Sequence, residues 1–407
     1  MRWRARNYGG AAVAAAIALA VTGCSSAGGT KGSQDNGGSS GTPASSASAQ
    51  AKPVGAPGTV TVSWCDLKGG NSGAPTAQQL TLASYSMTDG QEVARTVSLL
   101  PQGADTGILC DSTPTGQTSV PSAVRQAFNK DFTLVAGVMP PPRSGASSQD
   151  GPAVAFALKP QGTPVGAPSA DPFTVGAKDR TPAFQSGTST LWYETHDRHV
   201  MSRDLGQPGT AATDHGMSHD WGFVLAGDQP WSRMPLGDKF KDVTVNPSGT
   251  AAAGAADNYN SAIWLKDSTV PGSGDEYAEP LRFGPIPFGL ANKALPGGDN
   301  VPQCTPKFWI DDHSLFCVGK GFSRVVFSDS LDSVQKVEQL LPDNDRDNSS
   351  VAPSPDLKSV VFLSRQGKDV AELYRLDLTP GATPKKIGSI APNSPGVKSE
   401  LRLVAWQ

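Results

Sequence analysis

Four of the five histidines fall within residues 196–219, in the segments Thr195-His196-Asp197-Arg198-His199 and Asp214-His215-Gly216-Met217-Ser218-His219-Asp220. Imidazole is the commonest protein ligand for zinc, and pairs spaced by three and four residues suit a shared ion if their two segments open at one end of the fold. His196, His199, His215 and His219 are therefore the first candidate ligands. If residues 221–226 instead form the strand that follows His199, the two groups fall on opposite faces and convergence fails. The plainer reading makes 196–199 a polar hairpin tip and 214–220 a solvated loop. A second cluster places Asp343, Asp345 and Asp347 at alternate positions, as calcium loops do, with oxygen donors in Asn348, Ser349 and Ser350. It lacks a glycine at the sixth position, and its twelfth is Ser354, so turn hydrogen bonding is the competing role. No cofactor is the default expectation, with zinc or calcium the cations these clusters could take.

Cysteine chemistry is simpler. Apart from Cys24, the chain has Cys65, Cys110, Cys304 and Cys317, an even number with no CxxC spacing for zinc. Two disulfides follow as the simplest reading, free thiols being the alternative. Cys304 and Cys317 flank a hairpin turning at Asp311-Asp312, and Cys65 with Cys110 would tie the first strand to the outer part of the first unit.

No Walker loop, dinucleotide fingerprint, HExxH or nucleophile–base motif occurs in credible context. Gly37-Gly38-Ser39-Ser40-Gly41 matches a nucleophile elbow only by letters. The 34 basic and 37 acidic residues are spread without runs and give a net charge of −3, which argues against nucleic acid and against a polybasic lipid-binding patch.

The elements that must position these residues are strands. Hydrophobic content of 37% with 45 Gly and 34 Pro fits a turn-rich all-β chain, and no helical period is convincing, 122–127 being the nearest candidate. The clearest unit is 340–378, in which Ser354-Pro355-Asp356-Leu357-Lys358 supplies turn chemistry between a strand at 350–352 and an apolar, β-branched strand at 359–364. A third strand follows at 372–378 and a weaker fourth at 385–387. Four short strands in about 45 residues suit a propeller blade. Pro355, Asp356, Lys358, Phe362, Ser364, Leu373, Tyr374 and Asp377 resemble the TolB-type and WD40-like propeller repeat, with Leu357 where that repeat carries Gly. The resemblance implies an all-β β-propeller. Second strands are expected at 79–84, 132–138, 190–195, 251–256, 314–319 and 359–364, and third strands at 92–99, 153–158, 199–204, 262–266, 324–328 and 372–378. Six blades are expected, or seven if 221–226 and the segment after it hide another. The strands at 59–64 and 400–406 should meet in one blade, because an open ring would expose strand edges.

Residues 1–23 read as an export signal, with Arg2, Arg4 and Arg6 before an apolar core at 11–21 too short to span a bilayer comfortably. Val21-Thr22-Gly23-Cys24 is similar to the lipobox of bacterial lipoproteins, which implies acylation of Cys24 and stable anchoring by two or more acyl chains. Residues 24–57 are Ser-, Gly-, Ala- and Pro-rich and form a disordered tether before a β-propeller at 58–407. The leading expectation is a lipid-anchored scaffold on the outer face of the cell membrane, binding a protein or envelope component and no nucleic acid. The alternatives are a propeller enzyme, hydrolase- or lactonase-like, and a metal or small-ligand receptor using 196–219. Fold alone does not choose among them.

Overall fold

The computed structural model describes residues 52–68, 77–101, 103–110, 120–139, 153–159, 162, 164–165, 180–195, 197–207, 209–217, 224–226, 229–231, 240–256, 260–265, 281–284, 293–367, 370–390, 397–398 and 401–407. Along the chain, β1 (Thr59–Lys68), β2 (Ala77–Ser86) and β3 (Glu92–Leu100) are followed by a short α-helix, α1 (Pro121–Gln126). Then come β4 (Leu134–Val138), β5 (Ala153–Ala157) and β6 (Pro164–Val165), and next β7 (Arg180–Phe184), β8 (Thr190–Glu194), β9 (His199–Asp204) and β10 (Thr213–Met217). A hairpin of β11 (Val224–Ala226) and β12 (Gln229–Trp231) precedes β13 (Phe240–Val245), β14 (Ala251–Ala256), β15 (Asn260–Leu265), β16 (Leu281–Arg282) and β17 (Lys293–Ala294). The last elements are β18 (Thr305–Trp309), β19 (Ser314–Val318), β20 (Phe322–Phe327), β21 (Val334–Leu341), β22 (Asp347–Pro353), β23 (Ser359–Arg365), β24 (Ala371–Asp377), β25 (Lys385–Ile390), β26 (Val397–Lys398) and β27 (Arg402–Trp406).

The protein is an all-β propeller, with almost no helix among the described residues. Among the described residues five sheets are complete blades of four or five strands, close to the six or seven expected. They are built on β1, β7, β13, β18 and β22. The three-stranded sheet β4–β5–β6 and the hairpin β11–β12, which holds the described part of 221–226, lie between complete blades in sequence. Sheets of this size cannot bury both faces alone, so the core is made between neighbours. Between β18–β21 and β22–β25, for example, Phe316, Phe322 and Phe362 are buried with ring centroids 5.3 and 5.0 Å apart in succession.

Closure is by the two chain ends. β27 pairs with β1, Val60 opposite Trp406 and Val62 opposite Leu403, and takes the innermost place in the first blade. The expectation that the terminal strands meet therefore holds, and it moves the other strands outward. β2 and β3, expected as second and third in their blade, are third and fourth, because β27 supplies the inner strand and β1 becomes the second. The other five second–third assignments match β4–β5, β8–β9, β14–β15, β19–β20 and β23–β24.

Local turn chemistry repeats between inner and second strands. Asn246 Oδ1 accepts from the backbone N of Thr250 and Ala251, both at 2.9 Å, and Asn129 Oδ1 does the same for Thr133 and Leu134. Ser354 Oγ accepts from Ser359 N at 3.0 Å. These side chains satisfy turn amides that no ladder reaches. Adjacent turns then join: Lys130 N donates to Thr188 O at 2.8 Å and Ser248 N to Asp312 Oδ1 at 2.8 Å. Leu357 stands at φ 55 where the repeat it resembles carries Gly, so this turn accepts left-handed backbone without glycine's ease.

One glycine is required where the first and last complete blades touch. Gly90 has φ +69, and a Cβ there would lie 2.4 Å from Ile387 O, with Gly388 Cα at 2.8 Å. Gly90→Ala should cost about 2 kcal/mol from strained backbone and overlap together. Chemical denaturation checks it, and an unchanged midpoint would mean that this seam yields freely.

Candidate functional site

The axis of the ring is the natural place for a propeller to bind or react, and here it holds α1. The inner position beside β4 is split: Asp105 bridges Val138 and Phe128 bridges Val135, with α1 between them in sequence. Pro121 starts the helix, where its missing N–H costs nothing. α1 lies against β7, β18, β22 and β27, the innermost strands of four separate sheets, an arrangement available only on the axis. Gln126 Nε2 donates to Leu225 O of β11 at 3.1 Å, adding a fifth. Val124, Ala127 and Phe128 pack with Leu80, Leu82 and Val404. Arg125 fastens the exit of the helix by donating to Phe128 O at 2.8 Å and Asn129 O at 3.1 Å, with its guanidinium 4.6 Å from the centroid of the Phe132 ring. Burial pushes the Arg125 pKa down.

Both cysteine pairs form disulfides. Cys304–Cys317 joins the approach to β18 with β19 across the expected hairpin. Cys65–Cys110 joins β1 not to the outer part of its own blade but to the axial excursion, since Cys110 lies after β3 and before α1. The expected pairing stands and the expected location is corrected.

The histidine region lies on the blade β7–β8–β9–β10. The strand after His199 is β10, not 221–226, and β10 itself carries His215. His199 Nδ1 lies 2.8 Å from Asp214 Oδ2. Asp214 is held below the usual carboxylate range, first by the Gly216 backbone N–H and then by His199. His215 Nε2 shares a 2.8 Å hydrogen bond with Ser202 Oγ and stacks on Trp192, ring centroids 4.2 Å apart. Successive strand residues point to opposite faces. Asp214 with its partner His199 is therefore on one face of the blade, and His215 with Ser202 and Trp192 is on the other. His196 and His219 lie outside the described residues. Ser202 was not legible as a site residue, because its neighbour His215 is distant in sequence and only strand register brings them together.

Asp343, Asp345 and Asp347 are dispersed rather than gathered. Asp343 Oδ2 lies 3.9 Å from Lys320 Nζ, Asp345 Oδ2 accepts from Gln366 Nε2 at 3.2 Å, and Asp347 starts β22 opposite Arg365. Asn344 Oδ1 closes the turn, accepting from Arg346 N and Asn348 Nδ2, each at 3.0 Å. Among the described residues no group of three or more His, Cys, Asp or Glu is arranged to hold a metal ion. Arg346 works inward instead, donating to Ser364 Oγ at 2.6 Å and pairing with Glu372, whose other oxygen takes Lys386.

Hydrogen bonds from Lys386 and then Tyr374 hold the Glu372 carboxyl below the usual carboxylate range. A depressed carboxylate contributes stability above its unfolded pKa, and loses it as pH falls through the folded one. Native stability should thus fall from about pH 4.5 downward. Glu372→Gln should be less stable at neutral pH and show a flatter acid limb. Denaturation midpoints across pH 3–7 test this, and parallel limbs would refute it.

No family model and no curated protein sequence matches the chain. Among solved structures it is similar to the periplasmic gluconolactonase of Pseudomonas aeruginosa, with 13% identity over 86% of each chain and a TM-score of 0.37. It is also similar to a 6-phosphogluconolactonase homologue from Bacteroides uniformis, with 11% identity, 81% of this chain and 82% of that one, and a TM-score of 0.33. The β-propeller domain of Cps50 from Myceliophteria thermophila matches with 10% identity, 80% and 89% coverage, and a TM-score of 0.32.

Proposed function

We propose that this chain is a lipid-anchored, extracytoplasmic β-propeller that acts by binding a protein or cell-envelope component on a rigid face. The observation that carries the reading is α1 on the axis. The helix packs against inner strands of four sheets and is tied to β11 through Gln126, so the space that propeller chemistry ordinarily uses is filled by the chain itself at that level. The export signal and the lipobox-like Val21-Thr22-Gly23-Cys24 support the location, with Cys24 acylated and no nucleic-acid partner. No cofactor is assigned to this role.

Membrane fractions from cells expressing the full chain and a Cys24→Ala variant give the first test. The parent should pellet with membranes and the variant should not. Cross-linking in intact cells should then give the same adducts with the parent and with Ser202→Ala and His215→Ala. Parent and variant distributing alike would sink the anchoring.

A second reading is a hydrolytic enzyme or ligand receptor on the β7–β10 blade. It is favoured by the 2.8 Å Ser202–His215 contact, which has the geometry of a nucleophile and its base, and by the exposed imidazole of His215. Turnover of ester or lactone substrates that disappears in a folded His215→Ala protein would establish this reading over the first. Metal binding within this reading would have to use His199 and His215 separately, since they face opposite sides of the blade, and calorimetry with zinc or calcium on the native protein is the measurement.

A further inference from the structure

A bulge in β10 gathers soft donors on one face of the β7–β10 blade. Met217 is paired directly with His199, and Asp214 with Met201, although Asp214 and Met217 are three apart and their partners two apart. A regular strand would send positions 214 and 217 to opposite faces. The extra residue on β10, with Gly216 at φ +93, resets the alternation, so Asp214 and Met217 both share the face of His199 and Met201. Trp192, Ser202 and His215 are on the other face.

This quartet has the chemistry of a metal site with its supporting carboxylate. Asp214 is ionised at neutral pH and can only accept, so its 2.8 Å contact with His199 Nδ1 requires the proton on Nδ1. The lone pair of the neutral ring is then on Nε2, and Asp214 fixes the ring's orientation, as the carboxylate partners of metal-bound imidazoles do. Met217 is 64% exposed, so packing claims little of its thioether, while Met201 is half-buried against Leu191 and Tyr193. The Cβ atoms of a directly opposed pair stand about 4.5–5.5 Å apart, a gap that an imidazole and a thioether can bridge through one ion. Met201 follows about 7 Å along β9.

We propose that His199, Met217 and Met201 form a Cu(I) site, with Asp214 as the positioning residue behind His199. Thioethers are soft donors that select Cu(I), and imidazole suits copper, whereas calcium takes oxygen ligands. Cys65, Cys110, Cys304 and Cys317 are paired in disulfides, so none of them offers a competing thiolate. The site is independent of the anchoring and partner-binding reading. It deepens the receptor alternative, on which it rests, by naming the ion, and Ser202 and His215 play no part in it.

The test titrates the full chain carrying Cys24→Ala, which leaves no thiol, against the Cu(I)–bicinchoninate complex under ascorbate without oxygen. The chain should withdraw one equivalent of Cu(I), and X-ray absorption of the loaded protein should show sulfur neighbours. Met217→Leu alters only an exposed side chain and should weaken binding and reduce the sulfur signal. Asp214→Asn should weaken binding about 10–100-fold while leaving the sulfur signal of the saturated protein unchanged. His215→Ala, on the opposite face, should bind like the parent. Failure to withdraw Cu(I), copper with nitrogen and oxygen neighbours alone, or parental affinity in Met217→Leu would each overturn the site. A chain that binds zinc or calcium but takes no Cu(I) would overturn it and leave the receptor alternative standing.

Discussion

A chain ending before Arg402 is expected to lose its cooperative unfolding transition. β27 is the inner strand of the first blade, and Leu403 and Val404 at its core are each 1% exposed. Burial at about 1.5–3 kcal/mol for each such side chain sums to a sizeable part of the 5–15 kcal/mol that a native domain holds in reserve. Hydrogen bonds go too: Leu403 N donates to Ser350 Oγ of β22 at 2.7 Å, and Gln407 N to Thr59 O at 2.9 Å. Removal would also bare the edge of β1, with Val60 and Val62 beside it, as a template for aggregation. Circular dichroism during denaturant titration, with light scattering for aggregates, measures the effect. A truncated protein that stays monomeric and unfolds in one transition near the parent's midpoint would show that the ring does not depend on this strand.

Replacing both Cys65 and Cys110 by alanine should cost about 4 kcal/mol, since a bridge spanning 45 residues lies between the ~3 and ~4.7 kcal/mol expected for 15- and 100-residue loops. The Cys304–Cys317 bridge spans 13 residues and should be worth about 3 kcal/mol by the same relation. The longer bridge has a second consequence. It is the covalent tie between β1 and the excursion that carries α1, so its loss should raise amide exchange at Val124, Ala127 and Phe128 ahead of global unfolding. Loss of Cys304–Cys317 should leave those amides protected. Equal exchange in both double variants would mean that the axial helix holds its place by packing alone.

The blade 347–390 was legible because what defines it is local. Ser354 reaches Ser359 within its own turn, and the strands at 359–365 and 371–377 alternate or run apolar as the ladder demands. The hairpin bridge Cys304–Cys317 was legible for the same reason, both partners flanking one turn. The candidate site was less so. His199 and His215 read as companions in sequence, and the alternation of strand faces separated them.

The strand repeat, its turn residues, the even cysteine set and the meeting of the terminal strands could be read from the chain alone, since each follows from neighbours a few residues apart or from the need to leave no edge exposed. Long-range packing alone makes β27 displace the first blade's strands outward, brings Ser202 to His215, and puts the six residues of α1 on the axis. A helix that short has no stability of its own, so its position is set by inner strands drawn from the whole length of the chain.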